Sequence, residues 1–262
     1  MIDLHVHILP GLDDGAADLE EALAMARAAK RDGITSMVAT PHCVTGWFAP
    51  EKGRVLEAVD ELNRYLAAEG IGVGVLPGAE YRLEPDLPER YEKGELLTLG
   101  GKSRYLLVEL PPGLLPPYAE RVLFELQLCG VTPVLAHPER NGVLMHEPEL
   151  LSRWAARGVL FQLTAASLTG AFGEGVRRTA QQFLRNGFAH LVASDAHSAT
   201  HRAPELSGAL REVERILGQG AVQSVLANAE RVVANSGKVA PVAGGERVRK
   251  QGFWSRLFGR GR

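Results

Sequence analysis

The chain opens with Met-Ile-Asp-Leu-His-Val-His, which sets Asp3, His5 and His7 at alternate positions. If this stretch is a strand, all three share one face. Two imidazoles side by side, followed by Asp13 and Asp14, make the start of a metal site. Residues of the same kind close other apolar runs: Thr40-Pro41-His42, Gly78-Ala79-Glu80, Val108-Glu109-Leu110, Ala136-His137-Pro138-Glu139-Arg140 and Ser194-Asp195-Ala196-His197. Five of the eight histidines fall in these places. Taken singly, a His or Glu after an apolar run is an ordinary surface residue or a satisfied core residue. Gathered at one end of a fold, so many carboxylates would repel and raise each other's pKa unless cations separated them. Mixed imidazole and carboxylate donors suit Mn, Fe or Zn.

The elements that must position these residues can be read from the same runs. Seven short segments rich in β-branched and apolar residues lie near 2–5, 34–40, 71–78, 105–110, 131–136, 159–163 and 190–193. Most are nearly continuous apolar runs, as expected of strands buried on both faces. Helical patterns separate most of them. The stretch 18–31 has an acidic start, a basic end and Gly33 as a stop, and 51–69, 118–128, 147–157, 175–186, 203–217 and 221–228 read the same way. Strand alternating with helix implies parallel strands joined by right-handed crossovers. Seven units fit a closed barrel better than an open sheet. The site then lies at the C-terminal strand ends, where six of the seven runs finish in His, Asp or Glu. The exception is Phe161-Gln162-Leu163-Thr164.

Composition agrees with a single α/β barrel. The chain has 262 residues, and a hydrophobic fraction of 45% is enough for a large core. The net charge of −2 argues against nucleic acid as a partner. Two cysteines, Cys43 and Cys129, exclude a disulfide scaffold and favour a reducing compartment. No basic segment precedes the first apolar residues, and there is no run of about 18 apolar residues. The expected location is the cytoplasm.

With these motifs in place, the sequence resembles the polymerase and histidinol phosphatase (PHP) superfamily. Within it, the chain is similar to the bacterial protein tyrosine phosphatases of capsule and exopolysaccharide gene clusters. The segments that carry the resemblance are DLHVHILPGLDDGA, ATPH, GAEYRL, LLVELP, LAHPERN, SLTGAFG and ASDAH, with Arg202 five residues further on. The resemblance implies a distorted (β/α)7 barrel and three divalent ions, commonly Mn2+. One ion would take His5, His7, Glu80 and Asp195; Glu80 would bridge to a second held by Glu109 and His137; the third would take Asp14, His42 and His197. Arg140 and Arg202 correspond to arginines that grip the phosphate, and Asp14 or His197 would assist the leaving group. Adjacent cations lower the pKa of bound water toward neutrality, so that hydroxide is available for in-line attack on phosphorus. Tyrosinate, with a pKa of about 10, needs little help to depart. The implied substrate is the phosphotyrosine tail of a membrane-associated bacterial tyrosine kinase.

Two positions depart from the family pattern. Cys43 stands where relatives often have a second histidine, and Thr164 where they often have asparagine. His42-Cys43 also resembles the start of a cysteine-phosphatase loop, H-C-x5-R, but position 49 is alanine, so that mechanism is rejected. Trp47, Phe48 and Tyr81 follow ligand strands and would suit an aromatic rim, while His146, His190 and His201 have no motif.

The domain expected over 1–238 is followed by a basic tail at 239–262. From Pro241 onward there are six Arg or Lys against one Glu, a surplus of five positive charges, which leaves the rest of the chain at −7 for a total of −2. Phe253, Trp254, Leu257 and Phe258 alternate with these cations, a pattern that fits peripheral contact with an anionic membrane. Other readings of the whole chain are a small-molecule phosphatase acting on histidinol phosphate or a nucleotide, and a non-catalytic metal-stabilised interaction domain. All nine ligand positions are filled, which favours an enzyme.

Overall fold

The computed structural model describes residues 1–243. Nine strands occur among them: β1 Ile2–Val6, β2 Ser36–Ala39, β3 His42–Cys43, β4 Gly74–Pro77, β5 Glu80–Arg82, β6 Tyr105–Glu109, β7 Thr132–Ala136, β8 Leu160–Thr164 and β9 Leu191–Ala193. All ladders between them are parallel. The ladders form two sheets, β1-β2-β4 and β3-β5-β6-β7-β8-β9. Hydrogen bonds close the ring between its two ends: His7 N–H donates to Ala196 O (2.8 Å) and Asp195 N–H donates to His5 O (2.9 Å).

The nine strands make the seven staves of the expected distorted barrel. The second and third apolar runs, expected as continuous strands, are each broken in two. Thr40-Pro41 interrupts the second stave between β2 and β3, and Gly78-Ala79 the third between β4 and β5. Pro41 and Pro77 have no N–H to give a ladder. A Cβ on Gly78 would lie 2.7 Å from the Val38 side-chain methyl Cγ1 and 3.2 Å from Ala39 O, so the neighbouring stave crowds this position. Both staves break at one level, and β3 then pairs with β5, setting His42 beside Glu80 in register.

Ten α-helices occur among the described residues: α1 Leu19–Asp32, α2 Lys52–Ala68, α3 Leu87–Glu92, α4 Ala119–Leu128, α5 Gly142–His146, α6 Pro148–Ala156, α7 Ala165–Thr169, α8 Glu174–Arg185, α9 Ser207–Leu217 and α10 Gln219–Val233. Helix α1 shows why the sequence pattern was readable. Asp18 caps its start by accepting from Glu21 N–H (2.9 Å), and Gly33 ends it in the left-handed conformation at φ 87°. The short helices α3, α5 and α7 have too few turns to show a period. Helix α9 begins at Ser207 rather than near 203, because Asp32 at the end of α1 accepts from Leu206 and Ser207 N–H (2.6 and 3.0 Å) and fixes its first turn.

Apolar side chains fill the space between staves and helices, with Val6, Met37, Phe161 and Trp154 fully buried. Val239 and Val242, assigned by composition to the tail, pack into this core, and Val242 N–H donates to Ala189 O (2.7 Å). The amphipathic stretch from Arg247 to Arg262 lies outside the described residues.

Candidate active site

The C-terminal ends of the staves bring eight of the nine expected ligand residues into three groups of donor atoms, each within 4.8 Å of one another. These are His5, His7, Glu80 and Asp195; His7, Asp14, His42 and His197; and His42, Glu80 and Glu109. His137 stands beside the last group, its Nε2 lying 2.9 Å from Glu80 and 3.9 Å from Glu109. The first group matches the set implied by resemblance. The others differ in that His7 and His42 each serve two groups. His137 and Asp195 are held at φ 35° and 54°, the left-handed region that non-glycine residues rarely adopt. Such strain concentrates where surrounding structure dictates a functional conformation.

Two buried partners orient the paired histidines. Asp13 accepts from His7 Nδ1 (2.6 Å) and from His42 N–H (3.0 Å). Gln162 Oε1 accepts from His5 Nδ1 (2.8 Å). With the Nδ1 protons so committed, each neutral ring presents a lone pair at Nε2, and the two Nε2 atoms face each other at 3.0 Å. Only a proton or a cation between them makes that arrangement favourable. Glu80 Oε2 and His42 Nδ1, 3.0 Å apart, are likewise buried without a hydrogen-bond partner. The donor set and its orphaned atoms therefore fit divalent ions.

Among the protein groups themselves, burial pulls the His7 pKa down. The hydrogen bond to Asp13 and the carboxylates of Asp195 and Glu80 outweigh it and raise the pKa well above the usual imidazole value. Burial pushes Asp195 up, but His5, His7, His137 and Arg202 carry it well below the usual carboxylate range. Glu80 is lowered against burial by His5, His137 and His42, whereas Glu109 is raised by burial and by the Glu80 charge. At the mouth, the hydrogen bond with His197 holds Asp14 down to about 2.

Arg140 and Arg202 stand beside the cluster. Both hydrogen-bond to Asp195 Oδ2, Arg202 at 2.6 Å, while Asp195 Oδ1 lies 3.3–3.4 Å from His5 and His7 Nε2. Both line a cleft of about 290 Å³ together with Asp14, His42, His197 and Trp47. Trp47 is 65% exposed at its edge and stacks on Phe48. Tyr81 is no rim residue; it is buried, and its hydroxyl accepts from Leu97 N–H (2.8 Å). Cys43 is buried behind the site, its thiol pushed up to about 12 chiefly by burial. His190 lies away from the cluster.

Sequence reasoning missed three contributors. Gln162 sits on the stave without a terminal ligand yet orients His5. Arg82 pairs with Glu109 (3.0 Å) at the cleft wall. Phe172 carries the guanidinium groups of Arg140 and Arg202 above its ring. Arg82 and Phe172 lie within GAEYRL and SLTGAFG, so the motifs contained them without indicating their contacts.

The family model for capsular polysaccharide synthesis, CpsB/CapC, matches residues 1–234. The chain belongs to that family. It is 40% identical to the tyrosine-protein phosphatase YwqE of Bacillus subtilis, over 90% of this chain and 92% of the relative. It is 32% identical to the putative tyrosine-protein phosphatase CapC of Staphylococcus aureus, with the same coverages. A solved structure from work on YwqE of B. subtilis and CpsB of Streptococcus pneumoniae, described as unique metal-dependent tyrosine phosphatases, superposes with a TM-score of 0.89. That match has 38% identity and covers 94% of this chain and 100% of the other.

Proposed function

We propose that this protein is a metal-dependent protein-tyrosine phosphatase. The observation that carries the reading is the double use of Asp195: one oxygen faces the His5–His7 pair and the other joins Arg140 and Arg202. A phosphate in the cleft would thus meet the cluster on one side and two guanidinium groups on the other. In this reading three ions, Mn2+ by family resemblance, would be held by His5, His7, Glu80 and Asp195; by Glu80, Glu109 and His137; and by Asp14, His42 and His197. Such ions, when bound, supply Lewis acidity and lower the pKa of water toward neutrality.

The chain's own residues do the rest. Asp13 and Gln162 fix the tautomers of His7 and His5. Arg140 and Arg202 offer in-plane N–H donors to phosphate oxygens, geometry that bidentate guanidinium contacts favour. Trp47 offers an aromatic face at the cleft edge to the phenyl ring. The substrate is the phosphotyrosine of a membrane-associated tyrosine kinase in polysaccharide assembly, met on the cytoplasmic side. The relatives' activity and the arginine-lined cleft support phosphotyrosine as the ester, and the family's place in capsular polysaccharide synthesis supports a partner in polysaccharide assembly.

The test is hydrolysis of a phosphotyrosine peptide by the full chain, with Mn(II) and with a chelator. Activity should require the metal, and Cys43→Ser should retain it within about twofold, because a buried thiol raised to about 12 is no nucleophile. Turnover that survives chelation, or that disappears with the serine variant, would overturn the reading.

A further inference from the structure

Phe172 lies in a tight turn between α7 and α8. Gly170 and Gly173, on either side, are at φ 96° and 90°, a conformation glycine adopts without strain. Backbone bonds lock the turn: Gly170 and Ala171 N–H donate to Ala166 O (3.0 and 2.9 Å), and Gly173 N–H donates to Gly170 O (3.0 Å). The turn therefore holds Phe172 at a fixed height beside the cleft. Its ring lies 4.7 Å from the guanidinium carbon of Arg140 and 5.8 Å from that of Arg202, both within cation–π range. The two arginines come from distant parts of the chain, one after β7 and one after β9. Both arginines contact Phe172, as both contact Asp195.

We propose that Phe172 is a positioning residue for the phosphate-binding arginine pair, an inference that rests on the function proposed above. A guanidinium binds an anion through its in-plane N–H groups, while its faces have no donors. A ring against the face fixes the plane and leaves the edge free for an oxyanion. Asp195 anchors each arginine at one edge only, Arg140 through Oδ2 and Arg202 through Oδ2 and the backbone carbonyl (2.9 Å), and leaves the opposite edge of each group unheld. The ring supplies the second constraint, and one ring supplies it to both arginines. Two cations that hydrogen-bond to one carboxylate oxygen also repel each other, and the attraction of each to the ring offsets part of that repulsion.

The test compares Phe172→Leu, which keeps apolar bulk and removes the π face, with Phe172→Tyr, which keeps the face. Binding of inorganic phosphate to the manganese-loaded full chain is measured by calorimetry, so no turnover is needed. KM and kcat for a phosphotyrosine peptide and bound manganese are read in parallel. Phe172→Leu should weaken phosphate binding and raise KM about fivefold to tenfold, the scale of a partly desolvated cation–π contact. Manganese content should be unchanged, kcat should fall less than KM rises, and Phe172→Tyr should restore both constants to within about twofold. Wild-type phosphate affinity and KM in Phe172→Leu would overturn the proposal. So would a loss of manganese in proportion to activity, which would mark a merely structural role. Failure of the unaltered protein to hydrolyse phosphotyrosine would instead overturn the proposed substrate, leaving the calorimetric result to decide Phe172.

Discussion

Both ends of this barrel bury a histidine, and the two have opposite surroundings. At the C-terminal end, His7 is packed among Asp13, Glu80 and Asp195, and its pKa is driven well above the usual value even though burial opposes this. At the N-terminal end, His190 precedes β9 and lies beside the ring and backbone of Phe161. Among the described residues no carboxylate contacts His190, and burial pushes it down to about 4. Its Nδ1 accepts from Phe161 N–H (3.2 Å), which requires the neutral ring. Burial by itself therefore makes an imidazole an inert, uncharged packing group. Converging carboxylates turn the same side chain into one that demands a proton or a metal ion.

The contrast breaks first at Asp195. Asp195→Asn keeps the shape and removes the charge that both the imidazoles and the arginines need. It should lower kcat/KM by about 10³-fold or more, with loss of bound metal measured by elemental analysis. A variant with full metal content and activity would mean the carboxylate is only structural.

At the other end, the expected effect is on stability. The folded pKa of His190 lies below the unfolded value of 6.5, so the unfolded chain takes up the proton first. The stability this neutral ring contributes is complete above about pH 6.5 and is lost as pH falls toward 4. The loss amounts to about 3 kcal/mol. His190→Gln can still accept from Phe161 N–H and does not titrate. Urea unfolding at pH 7 and pH 4.5 should show the wild-type protein losing stability relative to the variant. A constant difference between the two would remove the argument.

Asp13→Asn sharpens the comparison, because it removes the charge that accepts from His7 Nδ1 and His42 N–H without touching a candidate ligand atom. Metal affinity should fall about 10- to 100-fold, the usual consequence of losing an outer partner of a ligating histidine, while Tm of the metal-free protein changes little. The smallest expected effect belongs to the cleft edge. Trp47→Ala should reduce the preference for phosphotyrosine over phosphoserine peptide about threefold to tenfold, and Trp47→Phe should recover most of it. An unchanged ratio would leave Trp47 as simple loop packing.

Most of the candidate ligand residues were legible because they end apolar runs, and a run buried on both faces has little other reason to finish in His or Glu. His5, His42, Glu109 and Asp195 all announce themselves in this way. The barrel was legible from the alternation of runs and helical periods. The breaks in staves two and three were not. Pro41 and Gly78 look like ordinary strand ends, and only the pairing of β3 with β5 shows that the chain resumes its ladder beyond them. Nor could the sequence show partnerships between distant residues, such as Gln162 with His5 or Phe172 with two arginines, because each depends on where the barrel closes. The regrouping that gives His7 and His42 two neighbourhoods each is likewise a matter of side-chain direction, which spacing does not encode.

Gly15 bears on how far this site tolerates a change of loop length. A Cβ there would fall 2.0 Å from the His7 carbonyl oxygen and 2.5 Å from His7 Cβ, and Ala16 N–H donates to that same carbonyl (3.0 Å). The loop carrying Asp13 and Asp14 therefore rests directly on the strand that carries His5 and His7. Loop length is tolerant elsewhere on a protein surface, but here an added or deleted residue would slide both acids out of register with the rings below. Insertion or deletion within the segment from Asp3 to Ala16 is thus disfavoured, and the segment works as one part. A chimera that took the strand from one homologue and the loop from another would join two halves cut to different measures.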